Sequence, residues 1–229
     1  MTGASLLNRR QFLAGSAALA APFGPPLCRE IPAVETGQAP SRDRALIAIT
    51  LDLEMSRNFP RREDLHWDYE KGNLNEETRR YAVEAGRRVK AHGGVIHYFV
   101  VGRVLEQEDV SWLQDLARAG HPLGNHSYDH VNVLATKPED VQFRFKRAPW
   151  LLEGKSARQA IEDNIRMCAA AMKSRLGVSP TGFRTPGGFP NGLTDRPDLR
   201  KLLLDQGYSW VSSRYPAHPV GTPGARPGE

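Results

Sequence analysis

The chain has little cysteine, no long apolar run and no concentration of positive charge, and each absence argues against a class of protein. Its two cysteines, Cys28 and Cys168, make no disulfide framework and have no second cysteine at metal-ligand spacing. No apolar stretch approaches the length of a membrane span. The net charge is +5, but the basic residues are scattered, so a nucleic-acid-binding surface is not indicated. No glycine-rich dinucleotide or phosphate-binding motif supports a redox or phosphate-transfer enzyme.

The overall composition is that of an ordinary globular protein. The 229 residues are 40% hydrophobic and 25% charged, which is enough to bury one substantial core and predicts a single folded domain. Cys168 falls on the apolar face of a predicted helix and is interpreted as a small core residue.

The N-terminus carries paired arginines, Arg9 and Arg10, followed by Phe12-Leu13 and a mild apolar stretch from Ala14 to Ala21. This pattern resembles a twin-arginine export signal over residues 1–21. The alternative is a disordered basic terminus with a short helix. Residues 22–43, rich in Pro, Gly and Ala, are predicted to be a linker. We therefore expect an exported protein, periplasmic or extracellular, that uses the twin-arginine export machinery.

Strand-like and helix-like segments alternate along the rest of the chain, which is typical of parallel βα units. The run Arg44 to Leu51 is β-branched and almost continuously apolar, so it predicts a strand buried on both faces. In the helix after Asn75, a good N-cap, we expect Tyr81, Ala85 and Val89 to share the apolar face. Further strands are predicted at 95–101, 120–123, 181–183 and 208–212, further helices at 109–119, 156–176 and 198–206, and a long loop at 55–72.

Residues 216–229 contain four prolines and three glycines and predict an irregular tail. Five strands would leave a barrel open, so we expect a truncated sequence or a C-terminal part that lies outside it.

The segment Gly124 to His130 contains two histidines, His126 and His130, four residues apart. In a helical turn they would share one face, a spacing that suits two nitrogen ligands of one divalent ion. A catalytic ion takes about three protein ligands and keeps a position for water. The alternative is a chance pair of histidines on a solvated helix.

Charged groups recur at predicted strand ends: Asp52 and Glu54, the two histidines, and Arg184. In a parallel α/β barrel the carboxyl ends of all strands face one mouth, so these groups are predicted to converge.

Three motifs carry a resemblance to the polysaccharide deacetylases, family 4 of the carbohydrate esterases, from about residue 45 to 213. That family has Thr-Phe-Asp-Asp after an apolar strand, a His-Ser/Thr-x-x-His pair, and Arg-x-Pro-Tyr-Gly. The chain has Thr50-Leu51-Asp52-Leu53-Glu54, His126-Ser127-Tyr128-Asp129-His130, and Arg184-Thr185-Pro186-Gly187-Gly188. The resemblance implies an α/β fold, a distorted and incomplete (β/α) barrel over residues 44–215.

The resemblance also implies roles for the charged residues. Asp52 takes the place of the general base, and Arg184 that of the arginine that pairs with it bidentately. Leu53 stands where the family has its metal-binding aspartate, so Glu54 is the nearest carboxylate to join His126 and His130 on the metal. The alternatives are a solvated loop carboxylate for Glu54 and a surface arginine for Arg184.

The remaining family positions match less well. Gly187 replaces the family's tyrosine, after Pro186, and only its backbone amide would be needed at an oxyanion. Trp210 is a candidate sugar-binding wall or a core residue, whereas Tyr208 is interpreted as core. Nothing matches the late Leu-x-His motif that supplies the general acid, and His218 lies in a turn-like Pro-Ala-His-Pro segment.

The implied function is that of a metal-dependent hydrolase with one divalent ion. Zinc is the first candidate for that ion, ahead of other divalent transition metals. Such a hydrolase removes N-acetyl or O-acyl groups from an amino-sugar polysaccharide such as peptidoglycan or a chitin-like chain. The alternatives are a catalytically inactive carbohydrate-binding member of the same fold, and a hydrolase of small non-peptide amides.

Overall fold

The computed structural model describes residues 47–58 and 67–214, which belong to one unit, Ile47–Glu229. The predicted export signal (1–21), linker (22–43) and irregular tail (216–229) lie outside the described residues, as do Cys28 and His218. Those expectations stay predictions.

Five strands form one parallel sheet in chain order: β1 Thr50–Leu53, β2 His97–Val100, β3 Leu123–Asn125, β4 Gly182–Phe189 and β5 Trp210–Arg214. Every neighbouring pair is parallel, with Asp52 opposite Phe99 and Val100 opposite Asn125. Because the order never reverses, the sheet curls in one direction as in a (β/α) barrel. The described residues supply five strands, where a closed barrel has eight. The predicted fold, an incomplete (β/α) barrel, is confirmed.

The helices alternate with the strands: α1 Trp67–Glu70, α2 Glu76–Ala91, α3 Ser111–Arg118, α4 Phe143–Arg147, α5 Ala157–Leu176 and α6 Pro197–Asp205. Short 3-10 turns occupy Gly102–Glu106, Pro138–Asp140 and Pro149–Leu152. The predicted loop at 55–72 is thus interrupted by α1. Among the described residues no helix is both long and apolar enough to cross a membrane.

Cap residues determine where the two long helices, α2 and α5, begin and where α5 ends. Asn75 accepts a hydrogen bond from the Thr78 amide at 2.8 Å, as the sequence predicts. Ser156 and Gln159 form a capping box at the start of α5, and Gly177 ends that helix with φ 72°, a left-handed conformation that glycine adopts without cost. Ile161, Ile165, Cys168 and Met172 are buried along one side of α5. This confirms the interpretation of Cys168 as a core residue.

Two expectations about burial are wrong. The first strand is not buried on both faces, since Ile49 and Leu51 are 40% and 37% exposed. Within the described residues β1 pairs only with β2, so it lies at an edge of the sheet. On α2, Ala85 and Val89 are partly buried against the core as predicted, but Tyr81 is 58% exposed and the fully buried positions are Ala82 and Gly86. A Cβ at Gly86 would lie 2.9 Å from Leu116, so this helix packs by its smallest residues rather than by its aromatic one.

Candidate metal and hydrolytic site

The carboxyl ends of the strands bring the predicted polar groups together. Asp52 lies near the end of β1 and Glu54 follows it, His126 follows β3, and Arg184 lies on β4. Parallel strands in register end at one edge, so residues far apart in sequence meet there.

Glu54, His126 and His130 form one cluster. Glu54 Oε2 lies 2.7 Å from His130 Nε2 and 3.5 Å from His126 Nε2. One ligand atom from each residue lies within 4.8 Å of the other two, a group that could hold a metal ion. Both histidines are buried, whereas the Glu54 side chain is 25% exposed, which leaves the cluster accessible from solvent.

The chemistry of the donors fits a divalent cation. His126 Nδ1 lies 3.0 Å from the Arg184 carbonyl oxygen, which can only accept, so in the neutral ring Nδ1 carries the hydrogen. The lone pair on Nε2 then faces the Glu54 carboxylate. Two acceptors facing each other need a cation or a proton between them, and two imidazoles with one carboxylate are the ligands of catalytic zinc and its neighbours.

The pKa shifts agree with this fit. Burial alone raises the pKa of Glu54, but the neighbouring His126 and His130 rings and the positive charge of Lys71 outweigh it, so the pKa lies below its ordinary value. Burial lowers the pKa of His130 to about 4, although its hydrogen bond to Glu54 acts in the opposite direction. At neutral pH the cluster therefore holds a carboxylate and a neutral His130 imidazole, the forms that bind metal.

The condition of a helical turn between the two histidines is not met. The segment between them is a loop in which Ser127 and His130 have φ 59° and 58°. Left-handed conformations are costly for residues other than glycine and are often found at functional sites. The loop brings the imidazole rings to 5.0 Å between centroids, nearly perpendicular to each other.

Asn125 fixes the start of this loop and was not foreseen from the sequence. Its Oδ1 accepts a hydrogen bond from the Ser127 amide at 2.7 Å. Its Nδ2 donates to the Ile165 carbonyl at 2.9 Å and to the Tyr208 hydroxyl at 2.5 Å. Tyr208 is buried, which confirms its interpretation as core.

Asp129 ties the middle of the loop to α5 and α4. Its amide donates to Asn164 Oδ1 and its Oδ2 accepts from Asn164 Nδ2, both at 2.8 Å. Arg144 donates to Asp129 Oδ1 at 2.5 Å. The sequence carried no local signal for these partners, because Asn164 lies 35 residues away from Asp129.

Arg184 contacts Asp52, as predicted, but not bidentately. Nη1 donates to Asp52 Oδ1 at 2.7 Å, Nη2 to Thr50 Oγ1 at 2.9 Å and Nε to Ser212 Oγ at 3.1 Å. The guanidinium also lies over the Phe99 ring, 4.2 Å from its centroid. It therefore spans the sheet from β1 to β5 and is held in one orientation, which in turn fixes Asp52.

Lys71 is a second residue that the sequence did not single out. Its side chain is only 1% exposed, and Nζ lies 2.8 Å from Glu54 Oε1. A lysine buried to this extent is unusual without an acidic partner.

The three predicted substrate-side residues lie on β4 and β5. Pro186 is buried, and Gly187 is exposed with φ 81°, where the family's tyrosine would be strained. The β4–β5 register shifts between Arg184 and Phe189, a bulge of the kind that re-aims groups beside active sites. Trp210 is 41% exposed and its indole packs over Gly182, where a Cβ would approach it to 2.3 Å.

Comparison with known proteins now gives the family. A sequence model described as polysaccharide deacetylase matches residues 79–208, more than half of the chain. The chain belongs to the polysaccharide deacetylase family. The matched segment contains His126, His130 and Arg184, whereas Asp52, Glu54 and Lys71 precede it. No curated protein matches the sequence.

Solved structures of the family are similar at low identity. A family 4 pseudoenzyme from Bacillus anthracis is 15% identical, with a TM-score of 0.46, over 74% of this chain and 43% of that one. A family 4 carbohydrate esterase from Streptomyces lividans, solved with acetate, is 17% identical, with a TM-score of 0.43, over 72% of this chain and 61% of that one. A polysaccharide deacetylase from Bacillus cereus is 17% identical, with a TM-score of 0.43, over 73% and 59%. The chain thus spans less than two thirds of these proteins.

Proposed function

We propose that this protein is a metal-dependent hydrolase that removes N-acetyl, or O-acyl, groups from an amino-sugar polysaccharide such as peptidoglycan or a chitin-like chain. The observation that carries the proposal is the proximity of Glu54, His126 and His130 beside the Arg184–Asp52 pair. Family membership supports the reaction class.

Glu54, His126 and His130 would hold one divalent ion, with zinc as the first candidate. Such an ion, when bound, polarises an acyl carbonyl and lowers the pKa of water from about 16 toward 7. The ionised Glu54 carboxylate and the neutral His130 imidazole are the protonation states in which these two residues bind a cation.

Asp52 acts as the general base. Its Oδ1 accepts the hydrogen bond from Arg184, and its side chain is 34% exposed, so the carboxylate is both oriented and accessible to solvent. The proton of the attacking water passes to Asp52. Because Arg184 is itself held by Thr50 and Ser212, the base does not have to be ordered when substrate arrives.

Gly187 would donate its backbone amide to the developing oxyanion, with Pro186 fixing the chain before it and Trp210 lining the sugar side. The exposure of Gly187 and the partial exposure of Trp210 support these assignments. A substrate outside the cytoplasm agrees with the resemblance of residues 1–21 to a twin-arginine export signal.

The test is acetate release from acetylated glucosamine oligomers by the full chain, stripped of metal and reconstituted with zinc. We expect activity that depends on zinc, is lost in His126→Ala together with zinc binding, and is lost in Asp52→Asn with zinc binding retained. His92→Ala, a change at an exposed histidine on the end of α2, is the matched control and leaves both unchanged.

Undiminished turnover in His126→Ala would dispose of the metal role. Zinc binding and glycan binding without acetate release would instead identify an inactive carbohydrate-binding member of the fold. Hydrolysis of a small non-peptide amide, without acetate release from the oligomers, would instead identify a hydrolase of small amides.

A further inference from the structure

The two oxygens of the Glu54 carboxylate have different partners. Oε1 lies 2.8 Å from Lys71 Nζ, whereas Oε2 lies 2.7 Å from His130 Nε2 and 3.5 Å from His126 Nε2. One oxygen is therefore held by an ammonium group and the other faces the histidines.

The backbone is built to keep Lys71 in this place. The Gly72 amide donates to the Glu54 carbonyl at 2.6 Å, and the Ser56 amide donates to the Asn73 carbonyl at 3.1 Å, so the two segments are paired side by side. Gly72 has φ 89°, and a Cβ there would lie 2.3 Å from Arg103 Cβ. Only glycine fits, and it allows the chain after α1 to turn with Lys71 beside Glu54.

We propose that Lys71 is a positioning residue that fixes Glu54 so that the carboxylate presents a single oxygen, Oε2, to the metal ion. The inference rests on the metal site of the proposed function. A glutamate has one more rotatable bond than an aspartate, so its carboxylate needs a further contact to be held in one orientation. Lys71 supplies that contact before any ion binds, which removes an ordering cost from metal binding.

The lysine also changes the charge of the site. Its ammonium balances the Glu54 carboxylate, which lies between Lys71 and the histidines and would therefore screen the ammonium from an ion bound by those histidines. The opposing effect, repulsion between the ammonium and a dication, is thereby reduced. We take positioning as the larger effect, since the loss of groups that orient metal ligands usually weakens binding by about 10- to 100-fold.

The experiment compares Co²⁺ binding to the full chain and to Lys71→Met, which has similar length without charge. We expect Co²⁺ affinity to fall by about tenfold or more in Lys71→Met. We also expect the visible absorption of bound Co²⁺ to weaken, because a released Glu54 can bind with both oxygens and raise the coordination number. Lys71→Arg keeps a cationic donor, so we expect its Co²⁺ affinity and visible absorption to lie between those of the native chain and Lys71→Met.

Lys155→Met is the matched control. It removes an ion pair of similar length, 2.7 Å, from Lys155, which precedes α5, to Asp163 on that helix, and leaves Co²⁺ affinity and the spectrum unchanged. If circular dichroism shows Lys71→Met to be unfolded, Lys71→Gln serves instead, since its shorter neutral side chain also fails to hold Glu54.

Unchanged or tighter Co²⁺ binding with an unchanged spectrum in the Lys71 variants overturns the proposal, even if acetate release is intact. A wild-type chain that binds Co²⁺ in this lysine-dependent way but releases no acetate contradicts the proposed function and leaves the role of Lys71 standing. A wild-type chain that binds no Co²⁺ overturns both.

Discussion

Arg184 contacts His126 through its backbone and Asp52 through its side chain. The carbonyl oxygen lies 3.0 Å from His126 Nδ1, and Nη1 lies 2.7 Å from Asp52 Oδ1. One residue of β4 thus orients both a candidate metal ligand and the candidate base. The two contacts can be separated by mutation, because only the second depends on the side chain.

Arg184→Lys is expected to lower kcat by about 100-fold with little effect on zinc affinity. A lysine cannot reach Asp52, Thr50 and Ser212 together, so Asp52 loses its fixed orientation, and misplacement by about 1 Å costs a factor of this size. The backbone carbonyl still holds His126. Steady-state acetate release and zinc titration measure the two effects.

The control is Arg196→Lys. Arg196 precedes α6 and donates to Asp198 on that helix, so this substitution should change neither kcat nor zinc affinity. Equal loss of zinc affinity and turnover in Arg184→Lys would contradict the separation.

Asn125→Ala is expected to lower the free energy of unfolding by about 1–3 kcal/mol and to weaken zinc binding. The substitution leaves the Ser127 amide and the Ile165 carbonyl without their buried partner, and it releases the loop that carries both histidines. Urea unfolding and zinc titration check both parts. Asn75→Ala, which removes a helix cap at about 1 kcal/mol, should lower stability without affecting zinc; weaker zinc binding there would show that stability alone controls affinity.

The sequence was sufficient to predict that the charged groups at the strand ends lie close together. Asp52, Glu54, His126 and Arg184 each follow or end an apolar segment, and the geometry of parallel strands then brings them to one edge. The His126–His130 spacing predicted two rings that do lie close together, but a loop with two left-handed residues takes the place of a helical turn.

The sequence could not show the residues that hold those groups. Lys71 reaches Glu54 from a turn after α1, and Asn125 reaches Tyr208 across 83 residues. Such contacts depend on the final packing and leave no periodic or local pattern. The exposure of Leu51 was missed for a related reason, because an apolar run does not say whether its strand lies at an edge.

Gly187→Ala is expected to cost about 1–2 kcal/mol of stability, because φ 81° is strained for any residue with a Cβ. If the Gly187 amide stabilises the oxyanion, the strained backbone also lowers kcat, by roughly tenfold. Gly154→Ala is the control, since Gly154 has φ 74° and open space around it. It should cost similar stability and leave kcat unchanged, and equal kcat in both variants would remove Gly187 from the site.

Cys168 should make the stability of the protein fall at alkaline pH. Burial raises the pKa of its thiol to about 12 from an ordinary value of 9.0, so the native chain keeps this proton while the unfolded chain loses it above pH 9. Stability is therefore fully present below pH 9 and decreases as the pH rises toward 12. Between pH 8 and pH 10 the loss due to this group is about 1.4 kcal/mol. Urea unfolding of Cys168→Ala in parallel with the native sequence isolates the contribution of the thiol, because the other titrating groups are the same in both proteins. The difference between their free energies of unfolding should decrease by about 1.4 kcal/mol from pH 8 to pH 10. A difference that stays constant with pH would mean that the thiol is accessible in the native state, and rapid alkylation of Cys168 in a Cys28→Ser background would then follow.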